Sequence, residues 1–407
     1  MPIGPIPSSH DARTLGGRQF DGKIFFLILA LIPYSTRRRF ETQRRTKIDI
    51  QIFKIHRFSF APARAVWNIS FPAPMNRSLL VAFIPLVLFA AGETPRGFTG
   101  NIERLDPVFD RLVAPGEQME KLADGFKWAE GPVWFDGALI FSDVRENTAY
   151  RWKPGMREAE VYLKPSGLLS PQAGVRRSLP GSNGLARDAQ GRLLVAQHGE
   201  RRIAGYAHGQ FTTIADRFEG KRFNSPNDLV VRKNGDIYFT DPPYGLEGLD
   251  QSPVKELPYH GVFRVTPEGK VTLLAKDIAF PNGIAFSPDE KILYIGSTDD
   301  ATPHVAAFDV NADGTLANER LFLDVGPFMK GADRRGCDGM KVDRDGNVWT
   351  TGPGGILVVS PAGKVLGRLR TGEPTANCGW GEDGSVLYIT ANRFLLRLPT
   401  RTRGAGW

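Results

Sequence analysis

Apolar and polar positions form a unit that recurs along the chain from residue 129 onward. Each unit has a glycine-containing entry, a short apolar strand, a turn of the Asp-Gly or Asn-Gly kind, and further apolar strands. The first five units begin at Glu130, Asn183, Asn227, Asn282 and Asp338. These starts are 44 to 56 residues apart, the length of one four-stranded propeller blade. A sixth, degenerate unit begins at Asn377.

The repeated hairpins predict an all-β fold. Asp-Gly or Asn-Gly between two apolar runs is a strong hairpin signal, because both central residues of a type I′ turn have positive φ. Six equivalent hairpins favour a six-bladed β-propeller over a sandwich or a single barrel. The sixth unit lacks an outer strand, and Phe109–Val113 and Met119–Ala123 precede the first unit as strand candidates. We therefore expect an N-terminal strand to close the ring within a domain spanning residues 101–399.

The first 92 residues differ from the rest. The net charge of +8 lies within residues 1–74, which hold 12 Lys and Arg against 4 Asp and Glu. The remaining chain is balanced, so a nucleic-acid partner is not expected. Residues 75–92 have a short positive start, the apolar run Leu79–Ala91 and a small-residue cleavage site. They predict a signal peptide and a periplasmic or secreted protein, with residues 1–74 as a non-native or disordered upstream extension. A membrane anchor is the alternative, but 13 apolar residues are short for a span.

Only two cysteines occur, Cys337 and Cys378. A disulfide-built scaffold is therefore excluded, and stability must come from the core and from sheet pairing. We expect two buried thiols, although the sequence alone leaves pairing open.

The unit entries carry the candidate chemistry, since the innermost strands of a propeller converge on its central channel. Two carboxylates, Glu130 and Asp338, would lie there with the amide oxygens of Asn183, Asn227 and Asn282. Oxygen ligands of this kind suit one divalent cation, Ca²⁺ above all, with Zn²⁺, Mn²⁺ or Mg²⁺ as alternatives. Singly, each of these residues is also an ordinary turn residue.

Five motifs together resemble the gluconolactonase family that includes regucalcin. They are Glu130–Trp134, Asn224–Asp228, Phe239–Gly245, Pro281–Ser287 and Cys337–Met340. The resemblance implies a propeller hydrolase with one catalytic divalent metal. By position it makes Glu130, Asn282 and Asp338 metal ligands, Asn227 a ligand or substrate contact, and Asp338 also the acid/base. The family's arginine before the third-unit Asn-Asp pair is displaced here, since Asn224-Ser225-Pro226 follows Arg222.

The resemblance implies hydrolysis of a sugar lactone, a small-molecule substrate. A cation would polarise the ester carbonyl, and Asp338 would move the proton of the attacking water, with Glu130 as the alternative base. Asn183, Asn227 and His198 are expected to contact the substrate, with a surface or turn-bonded position as the alternative for His198. A phosphotriesterase-like hydrolase and a noncatalytic exported propeller that binds carbohydrate or protein are the alternatives. The oligomeric state cannot be predicted.

Overall fold

The computed structural model describes residues 97–171, 178–329 and 336–407, which are almost entirely β-strand and turn. The strands of the first four blades are β4 (Ala129–Phe135), β5 (Ala138–Asp143), β6 (Thr148–Trp152), β7 (Glu160–Leu163), β8 (Ser182–Arg187), β9 (Leu193–Gln197), β10 (Arg202–Ala207), β11 (Gln210–Ala215), β14 (Leu229–Val231), β15 (Ile237–Asp241), β16 (Gly261–Val265), β17 (Val271–Ala275), β18 (Pro281–Phe286), β19 (Ile292–Ser297), β20 (His304–Val310) and β21 (Leu316–Asp324). The other strands are β1 (Phe98–Thr99), β2 (Asn101–Arg104), β3 (Met119–Asp124), the hairpin strands β12 (Arg217–Phe218) and β13 (Lys221–Arg222), β22 (Met340–Val342), β23 (Val348–Gly352), β24 (Gly355–Val359), β25 (Val365–Arg370), β26 (Thr375–Gly381), β27 (Val386–Ala391) and β28 (Phe394–Pro399). Short 3₁₀ helices cover Pro107–Arg111, Leu249–Gln251 and Gly326–Phe328.

Six antiparallel sheets form a closed ring. Blades 1 to 4 are β4–β7, β8–β11, β14–β17 and β18–β21, while blade 5 is built on β22–β25 and blade 6 on β26–β28. The innermost strands contact one another in sequence, from β4 through β8, β14, β18 and β22 to β26, and β26 returns to β4. The predicted six-bladed propeller is therefore confirmed, with the first strand of every blade lining the central channel.

The N-terminal segment closes the ring at two blades. β3 pairs with β28 as the outer strand of blade 6, as predicted. β2 also adds a fifth strand to blade 5 by pairing with β25. The expected strand at Phe109–Val113 is wrong, because Pro107–Arg111 is a 3₁₀ helix. The Asp106 side chain accepts the Val108 amide at 2.8 Å, and the fixed φ of Pro107 favours a helical start.

The hairpin turns follow the predicted positions, but their backbone geometry differs from blade to blade. At Asp136-Gly137 both residues have positive φ, at 50° and 71°, as a type I′ turn requires. In the Asn234-Gly235 turn only Gly235 has positive φ, at 91°. Its Asn234 side chain instead accepts the Asp236 amide at 3.1 Å, the local bond of an Asx turn.

Large aromatic side chains fill the space between blades. Trp152 of blade 1 and Trp349 of blade 5 are fully buried, and both pack against residues of blade 6. Trp134 stacks on Tyr388 with ring centroids 5.8 Å apart. Burial of one such side chain contributes about 4 to 6 kcal/mol of apolar transfer free energy. The tryptophans named here therefore serve the interblade core.

The predictions for residues 1–74 and 75–92 lie outside the described residues. In the part of the chain that is described, no helix is long and apolar enough to span a membrane. Cys337 and Cys378 are both buried and neither forms a disulfide.

Candidate active site

One end of the channel opens into a cavity of about 330 Å³ with side chains from all six blades in its walls. The six predicted site residues all line it. They are Glu130, Asn183, His198, Asn227, Asn282 and Asp338. Five of these lie within two residues of the start of the innermost strand of a blade, and His198 directly follows the second strand of blade 2. The structure thus brings together residues that are up to 208 positions apart in the chain.

Hydroxyl groups fix the backbone of the entry residues, from the neighbouring blade for Asn183 and Asn282 and from the same blade for Asp338. The Ser142 hydroxyl donates to the Asn183 carbonyl at 2.8 Å, and the Thr240 hydroxyl donates to the Asn282 carbonyl at 2.7 Å. The Asp338 amide in turn donates to the Thr351 hydroxyl at 2.7 Å. Each of these hydroxyls lies at the end of a second strand, so the regular blade geometry holds the backbone of the site.

Three side-chain amide oxygens in the cavity are available to a ligand. The Oδ1 atoms of Asn183, Asn227 and Asn282 are buried and make no hydrogen bond. Buried polar atoms are rarely left unpaired, because the lost hydration is not regained. The amide nitrogens are held separately, since Asn183 Nδ2 and Asn227 Nδ2 lie 3.3 and 3.5 Å from His198 Nε2. The oxygens are therefore available to a cation or to substrate hydroxyls.

Glu130 is a buried carboxylate, 1% exposed. Its Oε2 accepts the Gly131 amide at 2.9 Å and Asn377 Nδ2 at 3.1 Å. Burial, together with the negative charge of Asp228, raises the pKa of Glu130 to about 7. Asp338 is only half-buried and faces the cavity. A cation between the two carboxylates would offset the cost of burying Glu130 in its charged form.

The donor set fits a hard divalent cation. Two carboxylates and up to three amide oxygens are the ligand types that Ca²⁺ takes. Within the described ranges, no three His, Cys, Asp or Glu side chains are grouped as a metal site. Amide oxygens must therefore supply part of any coordination, which disfavours a Cys/His transition-metal site.

The rim of the cavity has further residues, among which Trp128, Arg145 and Thr298 were not predicted from the sequence. The Arg145 guanidinium lies 5.5 Å from the ring centre of Trp128, and both residues line the cavity with Thr298 and Asp300. Arg145 and Thr298, like His198, come within two residues after the end of a second strand. That shared position is the signal that would have identified them.

Two residues of the third blade shape the site in different ways. Tyr244 lines the cavity, stacks on Phe280 at 5.8 Å and shares a hydrogen bond with the Thr298 hydroxyl. Burial, with the negative charge of Asp338, raises its pKa. Asp241 is fully buried and accepts the amides of Asn224 and Ser225 at 2.7 and 2.8 Å. It holds the loop that leads into Asn227.

Four further polar residues do not line the cavity: His260, His304, Asp299 and Arg222. His260 bonds Asp250 at 2.7 Å, and His304 lies 2.7 Å from the Thr302 carbonyl. Asp299 accepts the Thr302 hydroxyl at 2.8 Å, which is a local turn contact. The Arg222 guanidinium donates to the Glu200 carbonyl at 2.7 Å and does not line the cavity.

The chain is similar to known proteins over most of its length. The family model described as SMP-30/Gluconolactonase/LRE-like region matches residues 128–393. A gluconolactonase from Zymomonas mobilis subsp. mobilis is 37% identical over 326 residues, covering 77% of this chain and 90% of the relative. A solved gluconolactonase from Xanthomonas campestris is 31% identical, with a TM-score of 0.64 over 75% of this chain and 98% of that chain.

A more distant solved structure shares the fold. A regucalcin from Agrobacterium tumefaciens, described as a calcium-binding protein, is 21% identical, with a TM-score of 0.53 over 70% of this chain and 96% of that chain. The family match spans the blades that hold all six predicted site residues. The chain belongs to the SMP-30/gluconolactonase family.

Proposed function

We propose that this chain hydrolyses a sugar lactone in the channel cavity, with one divalent cation held by Glu130, Asn227, Asn282 and Asp338. The prediction of a lactone hydrolase is confirmed by membership of the family and by the 37% identical gluconolactonase. The cation, its ligands and the roles of individual residues are our proposal. The observation that carries it is the group of buried amide oxygens without hydrogen-bond partners beside two carboxylates.

Calcium is the ion that the donor set favours. The ligands offered are oxygens only, and the two carboxylates match the charge of a divalent ion. The description of the related regucalcin as calcium-binding supports the same choice. When bound, the ion would polarise the lactone carbonyl and stabilise negative charge on its oxygen.

Asp338 is the proposed acid/base. Its carboxylate faces the cavity and is half-buried, whereas the Oε2 atom of Glu130 is already held by two hydrogen bonds. Asp338 takes a proton from the attacking water as the water oxygen bonds to the carbonyl carbon. The ring C–O bond then breaks, and Asp338 returns the proton to the leaving alkoxide.

The remaining residues orient the substrate. The unpaired Oδ1 of Asn183 can accept a bond from a sugar hydroxyl, and His198 holds the amide of Asn183 in place. Asn227 is placed to contact either the cation or the substrate. A cavity of about 330 Å³ with polar walls is large enough for a single sugar ring.

Proton release from D-glucono-1,5-lactone tests the proposal. The rate of hydrolysis by the full-length chain is measured after the spontaneous rate has been subtracted. The assay is run first with a chelator and then with calcium added back. Turnover that stops with chelator and returns with calcium supports it. Turnover of a phosphotriester but not of lactones would favour the phosphotriesterase-like alternative. Binding of carbohydrate or protein without turnover would favour the noncatalytic propeller.

Export is a separate proposal. We propose that residues 75–92 direct this chain out of the cytoplasm and are removed, on the basis of their signal-peptide pattern. N-terminal sequencing of the mature protein from a bacterial periplasmic fraction tests it. A mature start near residue 93 supports export, while an intact apolar segment in a membrane fraction contradicts it.

A further inference from the structure

Asn377 joins three blades across the channel. It lies in β26 of blade 6, and its Nδ2 donates to Glu130 Oε2 of blade 1 at 3.1 Å and to Asp228 Oδ2 of blade 3 at 3.3 Å. All three side chains are at most 2% exposed. Blades 3 and 6 face each other in a ring of six, so this contact crosses the channel axis.

Small residues at the blade entries leave space for this contact. The residue after the blade entry is glycine in four blades, at Gly131, Gly184, Gly283 and Gly339. Blade 3 instead has Asp228, which supplies a carboxylate inside the channel. A Cβ on Gly339 would overlap the amide group of Asn377. The glycine therefore leaves the space that the Asn377 side chain occupies.

The orientation of the Asn377 amide is fixed. Its Oδ1 accepts the Cys378 backbone amide at 2.9 Å, which leaves Nδ2 for the two carboxylates. Rotation of the amide by 180° would set its oxygen against both negative groups and lose all three bonds. Asn377 and Asp228 do not line the cavity, so they act below it, through Glu130.

The bonds select which oxygen of Glu130 remains available. Gly131 N and Asn377 Nδ2 both bond to Oε2, and Oε1 takes part in neither bond. A carboxylate held at one oxygen by two donors presents the other oxygen in a fixed direction. Hydrogen-bond partners of ligating side chains commonly change metal affinity 10- to 100-fold.

We propose that Asn377 is a positioning residue for the cation site, holding Glu130 so that its Oε1 faces the ion. This inference rests on the proposed function. It adds a blade-6 residue to a site whose proposed ligands come from blades 1, 3, 4 and 5. The role of Asp228 is to share the Asn377 amide and so keep it in the channel.

Calcium binding to the full-length chain tests the role. Asn377→Leu removes the donor with little change in shape, and its calcium Kd is measured by titration calorimetry. We expect a Kd at least tenfold weaker than in the unmodified chain, and turnover at saturating calcium that recovers to within a few-fold. Asn377→Ser is measured as well, because a smaller residue is easier to accommodate if the leucine prevents folding.

Asn347→Leu is the matched control. Asn347 is also buried and donates to a buried carboxylate, Asp343, at 2.9 Å, but it lies outside the cavity lining. We expect it to lower the thermal midpoint without changing the calcium Kd. A Kd for either folded Asn377 variant within twofold of this control overturns the inference. An unmodified chain that binds no calcium overturns the proposed calcium site itself, whereas loss of binding in the Asn377 variants alone supports the inference.

Discussion

The Gly283 amide donates to the Asp338 carbonyl at 2.9 Å, and a Cβ on Gly283 would overlap the same oxygen. Blade 4 therefore touches the backbone of the proposed acid/base residue in blade 5 with no space between them. The glycine at this repeat position allows two blade entries to approach closely enough for both side chains to reach one cavity.

Gly283→Ala should therefore lower the rate of lactone hydrolysis strongly, with a smaller effect on the thermal midpoint. The added methyl must push the Asp338 backbone away, and a displacement of about 1 Å can cost on the order of 100-fold in rate. Lactone kinetics and thermal unfolding check this. Gly205→Ala is the control, because a Cβ there meets no atom closer than 3.5 Å. Equal activity of the two variants would contradict the expected displacement.

Asp338→Asn removes the proposed proton carrier while keeping the shape of the side chain. We expect kcat to fall by about 100- to 10,000-fold, the usual contribution of general acid–base catalysis. Asp345→Asn changes an exposed turn residue of the same blade and should leave kcat unchanged. A folded D338N variant with near-normal kcat would transfer the role to Glu130 or to another base.

Arg145→Met tests the rim of the cavity. The exposed guanidinium, placed over Trp128, can donate charged hydrogen bonds to substrate hydroxyls. Its loss should raise KM about tenfold or more with a smaller effect on kcat, since a hydrogen bond to a charged group is worth about 1.5 to 3 kcal/mol. Arg157→Met, at an exposed position outside the cavity lining, is the control. An unchanged KM would remove Arg145 from substrate binding.

Asp241 should make stability depend on pH. Burial raises its pKa from 3.8 to about 7, despite two backbone hydrogen bonds that lower it. The folded state therefore holds a proton that the unfolded chain releases, so this stabilisation is complete below pH 3.8 and is lost as pH rises to about 7. The slope is at most about 1.4 kcal/mol per pH unit.

Urea unfolding of Asp241→Asn and the unmodified chain between pH 5 and 8 measures this contribution. Asparagine does not titrate, so the variant should gain stability relative to the unmodified chain as pH rises to about 7, with a constant difference above it. A difference that does not change with pH would show that Asp241 is ionised throughout.

The two thiols should be unreactive in the folded protein. Burial raises the pKa of both Cys337 and Cys378 to about 12. At pH 8 roughly one thiol in ten thousand would be ionised, and both are shielded from reagents. Ellman's reagent should label neither cysteine in native protein and both in urea. Rapid labelling of one thiol in native protein would contradict its burial.

The repeat pattern predicted the residues that occupy equivalent places in the blades, but not the contacts that occur in one blade alone. Five entry residues were identified because each occupies the same place in its blade, and the ring brings equal places together. Asn377 holds that place in the degenerate sixth unit, but its bonds to Glu130 and Asp228 depend on the channel diameter, which no sequence pattern reports. Phe109, Leu112 and Val113 were read as strand, although their i, i+3, i+4 spacing suits a helical turn.

Closure by β2 and β3 also sets the order in which the molecule can be completed. Arg397 and Glu120 form an ion pair at 2.7 Å, although 277 residues separate them in the chain. β2 must therefore wait for blade 5, and β3 for blade 6, before either strand completes its sheet. Glu130, synthesised early, can bond to Asn377 only once blade 6 has been made. The wall of the cavity that Thr375 of blade 6 provides is thus added in the final steps of synthesis.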